Sequence, residues 1–300
     1  MTTSTGTRVS HGYNLEFNKP ILSKPNTHLK ADISKVAAIN PTCGYNTSDY
    51  NGSILYQFEG LGGSNSVQVS SLWQQVFGST NCKLPIPIRE HFGHHVKCAA
   101  KHSYKIDTRD NPAIPTRGHN LEVNSEVAGF LGDVNHVKCE GRYQYNFPMF
   151  LGFNASTNLH AGYLHSMNTD GVTKITDRFF SGGPGSIRGF YTDGVGDNAS
   201  GRPLGGIAHW GAGLSLIRHL PFHPYVGGLG QFMRIHLFAN AGNLSTDHLC
   251  LSDVRVSVGA GLILTNGAFR MEINYAVPLL FKPSDIINNG LQFGVGVNFL

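Results

Sequence analysis

The stretch Phe269-Arg270-Met271-Glu272-Ile273-Asn274-Tyr275-Ala276-Val277 sorts its side chains by parity: Phe269, Met271, Ile273, Tyr275 and Val277 share one side, and Arg270, Glu272, Asn274 and Ala276 the other. Side chains on a β-strand alternate between faces with a period of two, so this segment is a strand with one apolar face and one charge-bearing face. The pattern extends in both directions. Downstream, Phe293, Val295, Val297 and Phe299 oppose Gln292, Gly294, Gly296 and Asn298. Upstream, Val254, Val256, Val258, Ala260, Leu262 and Leu264 oppose Arg255, Ser257, Gly259 and Gly261. Similar sorting recurs near residues 233–240, 209–216, 136–147, 96–105 and 9–18, and more weakly near 28–36, 50–59, 64–77, 81–92, 120–130 and 151–165. These segments predict about fourteen strands of roughly ten residues, the length of a tilted strand that crosses a bilayer. Nothing reads as a long helix.

A large soluble sandwich shows the same alternation, because antiparallel sheets often have one wet face. Two details favour a membrane barrel. The apolar rows are almost free of charge except at strand ends, as with Arg218 after Leu216, and the polar rows hold glycine and charges of both signs. A lysine or arginine facing lipid at mid-depth costs about 2–4 kcal/mol, whereas a lumen tolerates it. Closure also removes edge strands that lipid cannot satisfy. The fold expected is therefore all-β: one transmembrane antiparallel β-barrel over residues 1–300.

Composition agrees. The 300 residues include 37 glycines, with 40% hydrophobic and 14% charged, too polar for a helical membrane bundle and too weakly charged for a typical soluble domain. No apolar run approaches the roughly 18 residues of a spanning helix. The opening Met-Thr-Thr-Ser-Thr-Gly lacks a charged region followed by an apolar core, so no secretory signal is expected. A net charge of +4 without basic clusters disfavours nucleic acid as a partner. Five widely spaced cysteines argue against a disulfide framework and for a thiol-reducing compartment.

The longest expected connection runs from about Asp177 to Leu204 and contains Ser181-Gly-Gly-Pro-Gly-Ser-Ile-Arg-Gly-Phe190. Arg188, flanked by Ile187, Gly189 and Phe190, lies in a segment too apolar for an ordinary surface turn. It is expected to fold inward, where its charge needs an acid. Glu122, Glu126, Glu140 and Glu272 stand on the polar rows as candidate acid partners.

The Ile187-Arg188-Gly189-Phe190 motif resembles the inward-folding loop of the outer-membrane-protein assembly (bacterial surface antigen) superfamily. Along nearly the whole chain the resemblance is to one branch, the central barrel of the mitochondrial sorting and assembly machinery (SAM complex). Matching stretches include Asp107-Thr108-Arg109-Asp110-Asn111, Pro115-Thr116-Arg117-Gly118, Asp177-Arg178-Phe179-Phe180, Leu204-Gly205-Gly206, Phe238 to Leu244, Glu272-Ile273-Asn274-Tyr275 and Gln292 to Leu300. The ending also resembles the sorting signal of mitochondrial barrel precursors, with Gln292, Gly294, Val297 and Phe299 in the signal positions.

The resemblance implies a barrel of about sixteen strands preceded by a soluble polypeptide-transport domain, both of which this chain departs from: it is expected to start near the third strand and to lack that domain. It implies insertion of β-barrel precursors into the mitochondrial outer membrane by strand-edge templating at a lateral seam, without cofactor or chemical catalysis. The implied partners are the precursors, peripheral metaxin-like subunits, an inner-membrane organising complex and the bilayer. A passive or structural barrel without insertase activity is the alternative. In bacterial relatives the loop arginine meets acids at places held here by Ser215 and Asn240.

Other constellations carry less. Gly182 to Ser186 lacks the Gly-Lys-Ser/Thr ending of a phosphate loop and no helix is expected after it. His91, His94 and His95, or His160 and His165, suggest a metal, yet alternation sends His94 and His95 to opposite faces, and no metal is expected.

Overall fold

The computed structural model describes residues 9–21, 26–78, 84–168, 171–220, 232–248, 250, 252–266 and 269–296. Its strands are β1 (Val9–Pro20), β2 (His28–Asn40), β3 (Tyr45–Gly60), β4 (Gly63–Gly78), β5 (Gly93–Asp107), β6 (Gly118–Gly132), β7 (His136–Pro148), β8 (Phe153–Ser166), the two-residue β9 (Asn198–Ala199) and β10 (Arg202–Pro203), β11 (Ala208–His219), β12 (Met233–Ser245), β13 (Arg255–Asn266), β14 (Phe269–Leu280) and β15 (Gly290–Gly296). Thirteen of them form one sheet in the order β1 to β8 and then β11 to β15, every pair antiparallel. β9 and β10 pair only with each other, so the insertion between β8 and β11 leaves the wall and the wall closes beneath it. β1 and β15 are the edges of the sheet, which does not close on itself among the described residues.

The thirteen wall strands among the described residues agree with the expected number of about fourteen, and one expected strand is corrected. The segment 81–92 supplies no described strand; its described part contains a one-turn helix, α1 (Ile86–Arg89), with proline at its start. Pro85 and Pro87 have no N–H to give a ladder, whereas the first turn of a helix does not need one.

Burial is inverted relative to a water-soluble sheet. On β13 to β15 the polar row is inside: Arg255, Ser257, Glu272, Asn274 and Gln292 are all buried. The apolar row is outside, with Tyr275 55% and Phe293 57% exposed. A soluble sandwich would bury that row against a second sheet; here its partner is the hydrocarbon of a membrane.

The two ends of the sheet differ. At one end β3 and β4 join through Leu61 and Gly62, both at positive φ, the twist-matched hairpin. The other end carries α1, the insertion between β8 and β11, and the β14–β15 connection. The core lies where these segments fold back on the inner wall. Phe179, Ile187, Phe190 and Val195 of the insertion pack with Leu164 of β8 and Leu244 of β12. From the opposite end, Ala113 and Ile114 of the β5–β6 connection pack on Ile217 and Ile263.

Candidate functional site

The insertion enters the lumen as a loop held at two separate stretches of wall. Its root is fixed by charge. Asp177 Oδ1 accepts from Lys97 Nζ on β5 at 2.7 Å, and the same ammonium lies 3.0 Å from Glu126 Oε1 on β6. Lys138 Nζ on β7 donates to the Asp177 carbonyl at 2.8 Å and sits over the Phe179 ring. Arg178 closes the root on itself, donating to Thr173 Oγ1 and to the carbonyls of Thr173 and Leu204.

The tip lies against β12 to β15. Arg188 is fully buried, and its Nη2 donates to Glu272 Oε2 at 2.9 Å, with the guanidinium 4.7 Å over the Phe238 ring. Glu272 is shared: Oε1 pairs with Arg270 at 2.5 Å, and Oε2 also accepts from Asn274 Nδ2 at 2.8 Å. Asn274 Oδ1 in turn meets His236 Nε2 at 2.6 Å. A buried carboxylate with this many charge-assisted and neutral donors offsets the desolvation that an isolated ion would suffer.

Two features of the backbone let the tip approach so closely. Gly189 has φ of +89°, a conformation that penalises any residue with a Cβ. On the wall, a Cβ at Gly242 would stand 2.6 Å from Ile187 Cδ1, so that glycine is the recess into which Ile187 fits. Gln292 of β15 then clamps the tip: its Oε1 accepts from Gly189 N–H at 3.0 Å and its Nε2 donates to the Phe190 carbonyl at 2.8 Å. A single side-chain amide thereby satisfies the N–H of one loop residue and the carbonyl of the next.

Of the four acids named as candidates for Arg188, Glu272 is the one that faces it. The other three are engaged elsewhere: Glu126 with Lys97 and His136, Glu140 with Arg142 at 2.6 Å, and Glu122 with Asn124. Asn240 donates to the Ser186 carbonyl of the loop at 3.3 Å. Gly294 lies on β15 opposite Glu272, while Val297 and Phe299 fall outside the described residues.

Sequence reasoning missed two elements. Asp285, in the β14–β15 connection, pairs with Arg255 through both oxygens, at 2.9 and 3.0 Å, and accepts from Gly196 N–H of the loop at 2.9 Å. Its signal was a proline-containing turn, Lys282-Pro-Ser-Asp285, with Lys282 N–H also donating to Asp285. The second is the group Glu126, His136 and Asp177, whose ligand atoms lie within 4.8 Å of one another. Lys97 Nζ stands between its two carboxylates and supplies the positive charge that a metal would bring.

These features have parallels among known proteins. The sequence pattern of the Omp85 superfamily domain matches residues 1–299. The chain is 36% identical over 309 aligned residues to the sorting and assembly machinery component 50 homolog of Bos taurus, 34% to that of Homo sapiens, and 33% over 313 to a SAM50-like protein of Schizosaccharomyces pombe. Each alignment covers 99% of this chain and 65% of the relative, so the chain spans just under two thirds of the length of these proteins. In structure it superposes on BamA of Haemophilus ducreyi lacking POTRA domains 1-3, with a TM-score of 0.81 at 17% identity, covering 96% of this chain and 62% of the other. CdiB of Acinetobacter baumannii gives 0.59 at 12%, covering 96% and 50%.

Proposed function

The chain belongs to the Omp85 superfamily, and from that membership we propose that it inserts and assembles β-barrel precursor proteins in the mitochondrial outer membrane. The observation that carries this reading is the Gln292 clamp. It ties β15, an edge of the sheet, to a loop that is itself bolted to the inner wall through Arg188 and Glu272.

An edge strand in a low-dielectric medium exposes N–H and C=O groups that cost several kcal/mol each when unpaired. It is therefore a template for an incoming strand. A flexible edge is a poor template, because ordering it would consume the free energy of pairing. The clamp holds Gly189, Phe190 and β15 in one rigid unit, so the edge is preorganised before a precursor arrives. The hydrated, mixed-charge lumen receives the polar face of the entering hairpin, and the apolar outer face meets lipid. The work is done by non-covalent pairing.

The names of the relatives, components of a sorting and assembly machinery, support assignment to that complex. Peripheral metaxin-like subunits and an inner-membrane organising complex are the proposed partners. Ile187 to Phe190 are the proposed loop anchor, and Gln292 to Leu300 the proposed gate-side strand.

The test is import of a radiolabelled porin precursor into mitochondria depleted of the protein that carries this chain. Loss of the protease-resistant porin oligomer, restored by re-expression, is expected. Unchanged assembly after depletion would leave a passive barrel as the better description.

A further inference from the structure

The outward row of β2, formed by Leu29, Ala31, Ile33, Lys35, Ala37 and Ile39, is apolar except for Lys35. Lys19 and Arg218, the other lysine and arginine on outward rows of the described strands, stand at the ends of β1 and β11, whereas Lys35 is five residues inside the end of β2. A lysine exposed to hydrocarbon is costly, and the cost falls towards zero at headgroup level. Its neighbours identify that level.

Lys35 lies in register between Tyr13 of β1 and Tyr50 of β3, and Tyr50 lies in register with Trp73 of β4. The Tyr50 and Trp73 rings stack at 5.1 Å, and Lys35 Nζ is 4.9 Å from the Tyr50 centroid. Tyrosine and tryptophan at one height mark the interface between hydrocarbon and headgroups. An aromatic face attracts an ammonium without neutralising it. No ion pair among the described residues includes Lys35. Beside it, Gly52 has open space where a Cβ would stand, which leaves a groove of about 430 Å³ between Tyr13, Leu15, Ile33 and Tyr50. A charge at headgroup height above an apolar groove is complementary to one class of molecule.

We propose that this groove binds an anionic phospholipid, its phosphate against the Lys35 ammonium and one acyl chain beside Gly52. The inference rests on the reading that the outward rows face lipid, and the experiment separates the two. The chain has two tryptophans, Trp73 and Trp210, so the full chain carrying Trp210→Phe reports from Trp73 alone. In phosphatidylcholine nanodiscs, quenching by a small fraction of brominated phosphatidylglycerol is compared with quenching by brominated phosphatidylcholine. The anionic lipid is expected to quench about five-fold more effectively per molecule, equivalent to the ~1 kcal/mol that one basic residue gains at an anionic surface. Lys35→Met brings the two lipids to parity and Lys35→Arg keeps the preference.

Equal quenching of the unsubstituted Lys35 protein by both lipids, or a preference that survives Lys35→Met, overturns the site. Quenching by neither lipid overturns the lipid-facing reading itself. Loss of the preference on adding inorganic phosphate assigns the site to a soluble anion instead of a lipid.

Discussion

Arg188 on the lumen loop and Glu272 on β14 meet at 2.9 Å with neither side chain accessible to solvent. The same carboxylate faces Arg270 on its other oxygen, so one anion serves two cations from two segments. Removing it leaves both guanidiniums buried without the charge they share.

Glu272→Gln is therefore expected to destabilise the barrel by about 3–5 kcal/mol, the penalty for breaking a buried pair from one side. Thermal unfolding of the detergent-solubilised protein measures this. Replacing Arg188 and Glu272 together, with Arg188→Met and Glu272→Leu, is expected to recover part of the loss, because the Arg188 guanidinium no longer has to be desolvated, while Arg270 keeps its charge without Glu272. A double variant no more stable than Glu272→Gln would show that the pair is not the source of the effect.

Gln292→Ala removes two hydrogen bonds to the buried loop backbone and leaves the Gly189 N–H and the Phe190 carbonyl to find other partners. A loss of about 1–3 kcal/mol is expected, concentrated at the tip. Hydrogen exchange at Gly189 should rise far more than exchange at β6 or β7; a uniform rise across the sheet would speak against a local clamp.

Gly242→Ala tests the recess for Ile187. The added methyl would lie 2.6 Å from both Ile187 Cδ1 and the Trp210 carbonyl, and the latter is backbone that cannot rotate away. Overpacking of this kind costs about 1–3 kcal/mol. Limited proteolysis within 177–204 is the readout, with faster cleavage expected than in the parent. Ile187→Ala in the same chain should partly restore protection.

Asp177→Asn leaves the half-buried Lys97 with Glu126 as its remaining carboxylate and weakens the root of the loop while the tip contacts persist. Faster proteolysis near the root, without loss of the heat-resistant barrel, is the expected result. Unaltered cleavage would remove Asp177 from the anchoring account.

His91, in the turn before β5, gives a pH dependence. Burial pushes its pKa down to about 4, and the positive charges of Arg178, Lys174 and His95 around it act in the same direction. Since its pKa is lower folded than unfolded, its neutral form stabilises the fold above about pH 6.5, and that contribution is lost as pH falls from there towards 4. Loosening of the α1 segment on acidification, followed by hydrogen exchange, should be blunted in His91→Gln.

The strands were legible because a period of two is a local property: residues 269 to 277 sort themselves with no reference to the rest of the chain. The segment 81–92 misled the same rule, since its apolar spacing imitates alternation while Pro85 and Pro87 forbid the ladder. The loop motif was legible through Arg188, an arginine in apolar company. Asp285 was not, because an aspartate in a proline-containing turn looks like any surface turn until Arg255 and Gly196 are brought to it.

The order of polar and apolar residues along the chain determined the wall: which side chains face lipid, which face the lumen, and that a glycine-rich arginine segment between two strands turns inward. Which acid that arginine meets was decided only in three dimensions. Parity places Glu122, Glu126, Glu140 and Glu272 all on the inner face. The choice of Glu272, 84 residues from Arg188, depends on where strand register and sheet curvature bring β14 against the tip. Pairing across such a distance is a property of the tertiary structure, where desolvation makes a displaced charge too costly to hold.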